Sequence, residues 1–264
     1  VSRAALLVAP LVALLVALAG CRAPALRVPL AADDPRPAAL LEAWQQSTAG
    51  RRGLRGSARL AVDGAAVQVR SKQTLVVERP SRLRIEVLGL LSQTLAVLVT
   101  DGRRYELFRA QDRSFESGEV RPGLLWEVAH LDLSPEDAID LVLGAPRIGA
   151  GLAPLRAFES GQGEIAVELG DAAGQVRERR VFDRDGRLRR LERLAAEGEG
   201  AWSARFDAYA PVAGTPLAHA IRLEMEAPAT RAELELLRIE LNPELPADIF
   251  QLRPAAPVGR PEGG

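Results

Sequence analysis

From Leu54 onward, apolar and polar positions alternate with a period of two: Gly56, Ala58, Leu60 and Val62 against Arg55, Ser57, Arg59 and Ala61. That period predicts a half-buried strand. Asp63-Gly64 supplies a tight hairpin turn, and a second strand is predicted over residues 66–78. Arg79-Pro80-Ser81 breaks it, after which Leu83, Ile85 and Val87 alternate with Arg82, Arg84 and Glu86. Residues 94–100 are apolar on both faces, so the strand they predict is covered on both sides while its neighbours are wet on one. Asp101-Gly102 turns the chain into a strand over 103–109, and a weaker one follows at 114–120. Strand signals resume over 164–169, 175–182, 187–194, 201–209, 219–226 and 231–241, with Asp185-Gly186 marking another hairpin.

The period lengthens in two or three places. Leu40, Leu41 and Trp44 form one apolar stripe on a short helix over 37–46, which must lie on something, and a sheet is the available surface. A short helical turn is expected over 124–129 and a better-marked helix over 135–143. Ser134 is placed to cap it, Pro135 suits the first helical position, Glu136 and Asp137 face the positive end of the dipole, and Gly144 stops it. Ile139, Val142 and Leu143 make its apolar face, widened by Ala138 and Leu141. The predicted fold class is mainly β with α: about eleven antiparallel strands in a curved sheet or unclosed barrel, covered by short helices.

The N-terminus changes the picture. Arg3 precedes an uncharged apolar stretch from Ala4 to Gly20, the layout of an export signal. Seventeen helical residues span roughly 25 Å at about 1.5 Å each, short of the roughly 30 Å hydrocarbon core, and Pro10 interrupts them. The stretch ends in Leu18-Ala19-Gly20-Cys21, which resembles the lipobox of bacterial lipoproteins. The resemblance implies cleavage after Gly20, lipid attachment at Cys21, and a periplasm-facing protein held on a membrane by several acyl chains. Arg22 after the cysteine favours the outer membrane under the enteric sorting rule. Cys21 is the sole cysteine of the 264 residues, so no disulfide within the chain can form. The expected organisation is a signal peptide over 1–20, a lipidated, proline-rich tether over 21–36, one domain over 37–252 and a disordered tail over 253–264.

Charge and chemistry add little. With 34 Lys plus Arg against 35 Asp plus Glu, no global field draws the chain to nucleic acid. The two histidines, His130 and His219, lie at no metal-ligand spacing, and no nucleophile elbow, phosphate loop or dinucleotide fingerprint is present. No cofactor, metal or catalytic residue is therefore predicted. Asp183-Arg184-Asp185-Gly186 lacks the third acidic ligand and distal glutamate of a calcium loop, and reads as a turn. Arg177, Arg179, Arg180, Arg187, Arg189, Arg190 and Arg193 read as a solvated strand face, with contact to anionic lipid headgroups as the other possibility. Trp44, Trp126 and Trp202 are expected to anchor the core.

The order of parts is similar to the LolA and LolB family, whose unclosed barrel, covering helices and hydrophobic cavity hold the acyl chains of other lipoproteins. Two segments carry the resemblance. Leu131-Asp132-Leu133-Ser134 with Asp140-Leu141-Val142-Leu143-Gly144-Ala145-Pro146 resembles the family's capped helix with its leucine-glycine-x-proline stop. Arg82-Leu83-Arg84-Ile85-Glu86-Val87-Leu88-Gly89-Leu90-Leu91-Ser92 resembles the LolB strand and following loop, departing from it at Gly89, where the family usually has proline. By position Leu90, with Leu91 beside it, matches the leucine that helps pass lipoproteins into the membrane; from physics alone these residues are either an exposed tip or a buried strand bend. The resemblance implies a cavity or lid lined by Leu40, Trp44, Ile85, Val87, Leu95, Val97, Trp126, Ile139, Val142 and Leu143, a periplasmic LolA-like carrier as partner, and a monomer. Cys21 favours the LolB side; a lipid-binding or envelope-sensing lipoprotein without a transfer role is the alternative.

Overall fold

The computed structural model describes residues 27–65, 67–194, 201–246 and 248–252. The expected signal peptide, Leu18, Ala19, Gly20, Cys21 and the tail over 253–264 lie outside the described residues. Among the described residues, fourteen strands form one antiparallel sheet in the order β1-β8-β9-β10-β11-β12-β13-β14-β2-β3-β4-β5-β6-β7. They run β1 Arg27–Pro29, β2 Gly53–Gly64, β3 Val67–Glu78, β4 Arg82–Leu88, β5 Thr94–Thr100, β6 Arg104–Arg109 and β7 Ser114–Glu119. The second half supplies β8 Ala153–Ser160, β9 Ile165–Gly170, β10 Val176–Phe182, β11 Leu188–Arg193, β12 Trp202–Val212, β13 Thr215–Glu226 and β14 Ala229–Leu241.

Each half is a meander of hairpins, and the last strand pairs with β2, so Leu241 faces Leu54 and Thr230 faces Gly64. β1 and β7 are left as the free edges. Helix α1, Arg36–Thr48, precedes the first meander; α2, Trp126–Ala129, and α3, Pro135–Val142, sit in the connection between the halves. All three helices bury apolar residues in one cluster with one face of the sheet, including Leu60, Leu75, Ile85, Phe182, Leu223 and Leu236. Curvature follows from the packing. Ile85 on β4 and Leu223 on β13 border one small cavity although their strands are four places apart in the sheet, roughly 19 Å if it were flat.

The strand count exceeds the expected eleven because the weak β7 is real and because β1 and β8 were not foreseen. Arg27–Pro29 lies in what reads as tether, yet it pairs with β8 through Arg27 and Ser160, Val28 and Glu159, Pro29 and Phe158. Three residues ending in proline carry no period, and β8 begins Ala-Pro with its first four side chains exposed; an edge pairing of this kind has no alternation to read.

α3 forms as its sequence dictates. Asp137 N donates to Ser134 Oγ at 3.1 Å, Pro135 occupies the first turn, and Gly144, at φ +57°, lets its amide and that of Ala145 bond back to Leu141 O and Asp140 O at 2.9 and 3.0 Å. This is a left-handed helix stop that a residue with Cβ adopts at a cost. The two-sided burial expected of β5 is also present: Val97 and Val99 are buried on the face away from the core cluster. Residues 248–252 cross that outer face, where Arg84 Nη1 donates to Ile249 O at 3.1 Å, Leu252 N to Glu106 Oε2 at 2.6 Å, and Phe250 is buried under Arg82.

Candidate functional site

Between α2, α3 and the sheet lies a small apolar cavity of about 50 Å³, walled by Leu60, Leu75, Val77, Leu83 and Ile85 from β2–β4, Ile221, Leu223 and Leu234 from β13 and β14, and Leu125, Ala129, Leu131, Leu133, Leu141 and Val142 from the covering segment. One side chain in the wall is an amide, Gln73. An apolar cavity of about 150 Å³ takes one benzene, so the space is a seam in its present form. An acyl chain fits only if the covering segment moves outward, exposing walls that are already apolar.

A second space opens beside the β4–β5 loop. This groove, about 1210 Å³, is bordered by Leu60, Val69, Ser71, Val87, Leu88, Leu90, Gln93, Leu95, His219 and Leu236, with Arg59, Arg70 and Lys72 among the polar residues. Leu90 is 97% exposed and Leu91 89%, which decides between a buried bend and a projecting tip in favour of the tip. The loop is braced without proline: Gly89 N donates to Gln93 O at 2.8 Å, Ser92 N to Gly89 O at 3.0 Å, and Leu91 N to Gln93 Oε1 at 3.0 Å. Proline at 89 would lack the first of these donors, and any Cβ there would lie 2.4 Å from Gln93 Nε2.

The structure redistributes the ten expected cavity positions. Ile85 and Val142 border the small apolar cavity. Ile139 and Leu143 are fully buried in the core beside it, and Trp44 is buried under α1 against Phe182, with ring centroids 6.0 Å apart. Leu40 and Val87 pack half-buried on the same cluster, Val87 bordering the groove. Three positions are corrected. Leu95 is exposed on the groove rim, opposite the β-bulge at Val87 and Leu88. Val97 faces outward toward Phe108 and Ile249, because the strand is apolar on both faces and period alone cannot say which is inside. Trp126 stands half-buried outside the core cluster, edge-on to His130 at 5.5 Å.

What holds the covering segment was not legible as a motif. Arg180, expected on a solvated face, is fully buried: its Nε donates to Glu178, Nη1 to Pro146 O and Nη2 to Arg147 O, both at 2.9 Å, and its guanidinium lies 4.6 Å from the Trp44 ring centroid. Burial pulls its pKa down, opposed by Glu178. Buried Asp140 on α3 pairs with Arg79 at 3.0 Å and Arg147 at 2.9 Å. Arg51 caps the end of α3, donating to Leu143 O and Gly144 O at 3.0 and 2.9 Å; burial lowers its pKa as well. Glu178, Arg180 and Phe182 share the inward parity of β10, a charge pair two residues apart beside a phenylalanine, and that spacing was the available signal.

Arg184 in the turn of the β10–β11 hairpin donates to Gln162 O, and the other strand arginines are matched to carboxylates, as in Arg177 with Asp171, Arg190 with Glu192 and Arg189 with Asp207. The Asp183 carboxylate accepts Asp185 N and Arg187 N at 3.0 and 2.9 Å, completing the expected turn. On the outer face Glu168 lies between Arg156 and Arg179. Burial pushes the Glu168 pKa up, but the two guanidiniums outweigh it and hold the carboxyl below its ordinary value. A depressed carboxylate stabilises the fold fully above the unfolded value of about 4.3 and loses that contribution as pH falls through the lower folded value. Glu168→Gln therefore flattens the acid limb of a plot of melting temperature against pH; a limb of unchanged steepness would remove Glu168 from this role.

These features define an unclosed antiparallel sheet with helices covering the apolar face that carries the main core. That is the fold of the LolA superfamily protein NE2245 from Nitrosomonas europaea, which aligns with a TM-score of 0.56 at 13% identity over 81% of this chain and 97% of its own. A DUF1329 family protein from Desulfovibrio piger aligns at 0.47 and 10% identity, covering 83% and 98% of the two chains. A domain assigned to outer membrane lipoprotein sorting, from Vibrio parahaemolyticus, aligns at 0.43 and 12%, covering 80% and 94%. No protein-family model matches the sequence, and no curated protein does.

Proposed function

We propose that this protein receives the acyl chains of other lipoproteins and helps insert them into the outer membrane, itself anchored there through a lipidated Cys21. One observation carries the reading: two adjacent leucines, almost fully exposed, stand on a braced loop at the rim of a groove that abuts the apolar core. Exposed leucines at a tight tip lower their free energy by burial in a bilayer, each by about 1.5–3 kcal/mol. The apolar cavity under α2 and α3 is the complementary part, a place where fatty tails are sheltered by area-driven burial without covalent chemistry. The LolA-superfamily fold supports the reading, and the lipobox-like Leu18-Ala19-Gly20-Cys21 favours the LolB side.

In this scheme a soluble LolA-like carrier brings cargo to the groove, the tails pass inward as the covering segment yields, and the tip admits them to the bilayer. Each transfer runs only as far as differential affinity drives it. The protein acts as a monomer. Depleting it in its host tests the proposal: other lipoproteins accumulate in the periplasm bound to the carrier. Normal lipoprotein sorting after depletion overturns the transfer role and leaves a lipid-binding or envelope-sensing lipoprotein of the same fold.

A further inference from the structure

Gln73 is the one polar side chain among the described residues that wall the small apolar cavity, and it is 3% exposed. Its register neighbours, Ala58 on β2 and Val87 on β4, give it no polar partner. The amide's hydrogen bond is a long one, from Nε2 to Ser71 Oγ at 3.4 Å. An amide held by one long hydrogen bond inside an apolar wall is unfavourable there, and leucine or methionine would fill the same volume. Position adds a second observation. Ser71 borders the large groove, Gln73 borders the small cavity, and Leu60, paired with Ser71 across the ladder, borders both. The partition between groove and cavity is thus a leucine and a weakly bonded amide.

We infer that Gln73 is a specificity-determining residue for the acyl carbonyl: the tail passes Leu60 into the cavity, and the ester or amide carbonyl at its head stops at the partition, accepting a hydrogen bond from the Gln73 Nε2–H that Ser71 leaves free. The headgroup then stays in the groove, beside Lys72 and the leucine tip. This rests on the acyl-binding reading and fixes its depth and polarity, since a bare hydrocarbon gains nothing from the amide.

The test compares Gln73→Leu and the flexible isostere Gln73→Met with the parent protein, using displacement of N-phenylnaphthylamine by methyl palmitate and by hexadecane. Either variant is expected to bind methyl palmitate roughly five- to tenfold more weakly, the scale of one buried hydrogen bond, with hexadecane unchanged or tighter. Thermal melts are expected at or above the parent value. Equal weakening for both ligands, or unchanged affinity for methyl palmitate, overturns the assignment of Gln73 and leaves acyl binding standing. Failure of the parent to bind either ligand overturns the acyl-binding reading itself.

Discussion

Arg180→Ala melts on the order of 10 °C below the parent protein. The figure follows from breaking a buried ion pair, about 3–5 kcal/mol, and from a shift of roughly 2–4 °C per kcal/mol in a domain of this size. Arg180 has no exposure to water, and its donors go to Glu178 and to the carbonyls of Pro146 and Arg147, directly after α3. Truncation leaves the buried Glu178 carboxylate with Arg193, 3.4 Å away, in partial compensation, and it frees the chain that fixes the end of α3. Replacing both partners, as Glu178→Met with Arg180→Met, recovers most of the loss, because the penalty lies in an uncompensated charge and not in absent attraction. A loss below about 1 kcal/mol in the single variant would mean that water or Arg193 satisfies Glu178, and that α3 is held from elsewhere. Differential scanning calorimetry reads both variants directly.

Leu90→Asp abolishes delivery of lipoproteins to vesicles while leaving the melt unchanged. The side chain is 97% exposed, so the fold loses nothing by its replacement. In a bilayer the exchange forfeits about 2 kcal/mol of burial and adds about 3 kcal/mol for a carboxylate at depth, together enough to slow insertion by more than about a hundredfold. The bracing bonds of the loop are made by Gly89, Leu91 N, Ser92 and Gln93, so tip geometry survives. Leu90→Ala falls between the two. Delivery at the parental rate with aspartate at position 90 would remove the tip from the mechanism.

Alternation in β2 to β4, the capped helix α3 and the turn at Asp185-Gly186 were legible because each rests on a local rule: period, side-chain cap, or a glycine able to take positive φ; the turn expected at Asp63-Gly64 is displaced, since both residues end β2 and pair with Gln68 and Val67. The exposed tip was legible as one of two alternatives, settled only by where the bulge at Val87 and Leu88 turns the chain. The rest depended on contacts distant in sequence. Val97 was assigned inward because nothing local distinguishes the faces of an all-apolar strand; residues 248–252 decide it from the far end of the chain. β1 forms because β8, itself paired with β9, offers it an edge. Arg180 looked solvated in a run of arginines, yet β10 places it inward opposite α1. Gln73 was invisible for the same reason, since a lone amide in a strand is meaningful only when the wall around it is known.

The central claim is that acyl chains lodge between the covering helices and the curved sheet. Photo-crosslinking with a palmitoyl ester carrying a diazirine near its tail, followed by peptide mass spectrometry, tests it most directly. Label is expected on β3, β13 and the segment from Leu125 to Val142, whose side chains wall the cavity. Label confined to the outward-facing residues around Phe108 and Phe115, or to the loop tip alone, would contradict it.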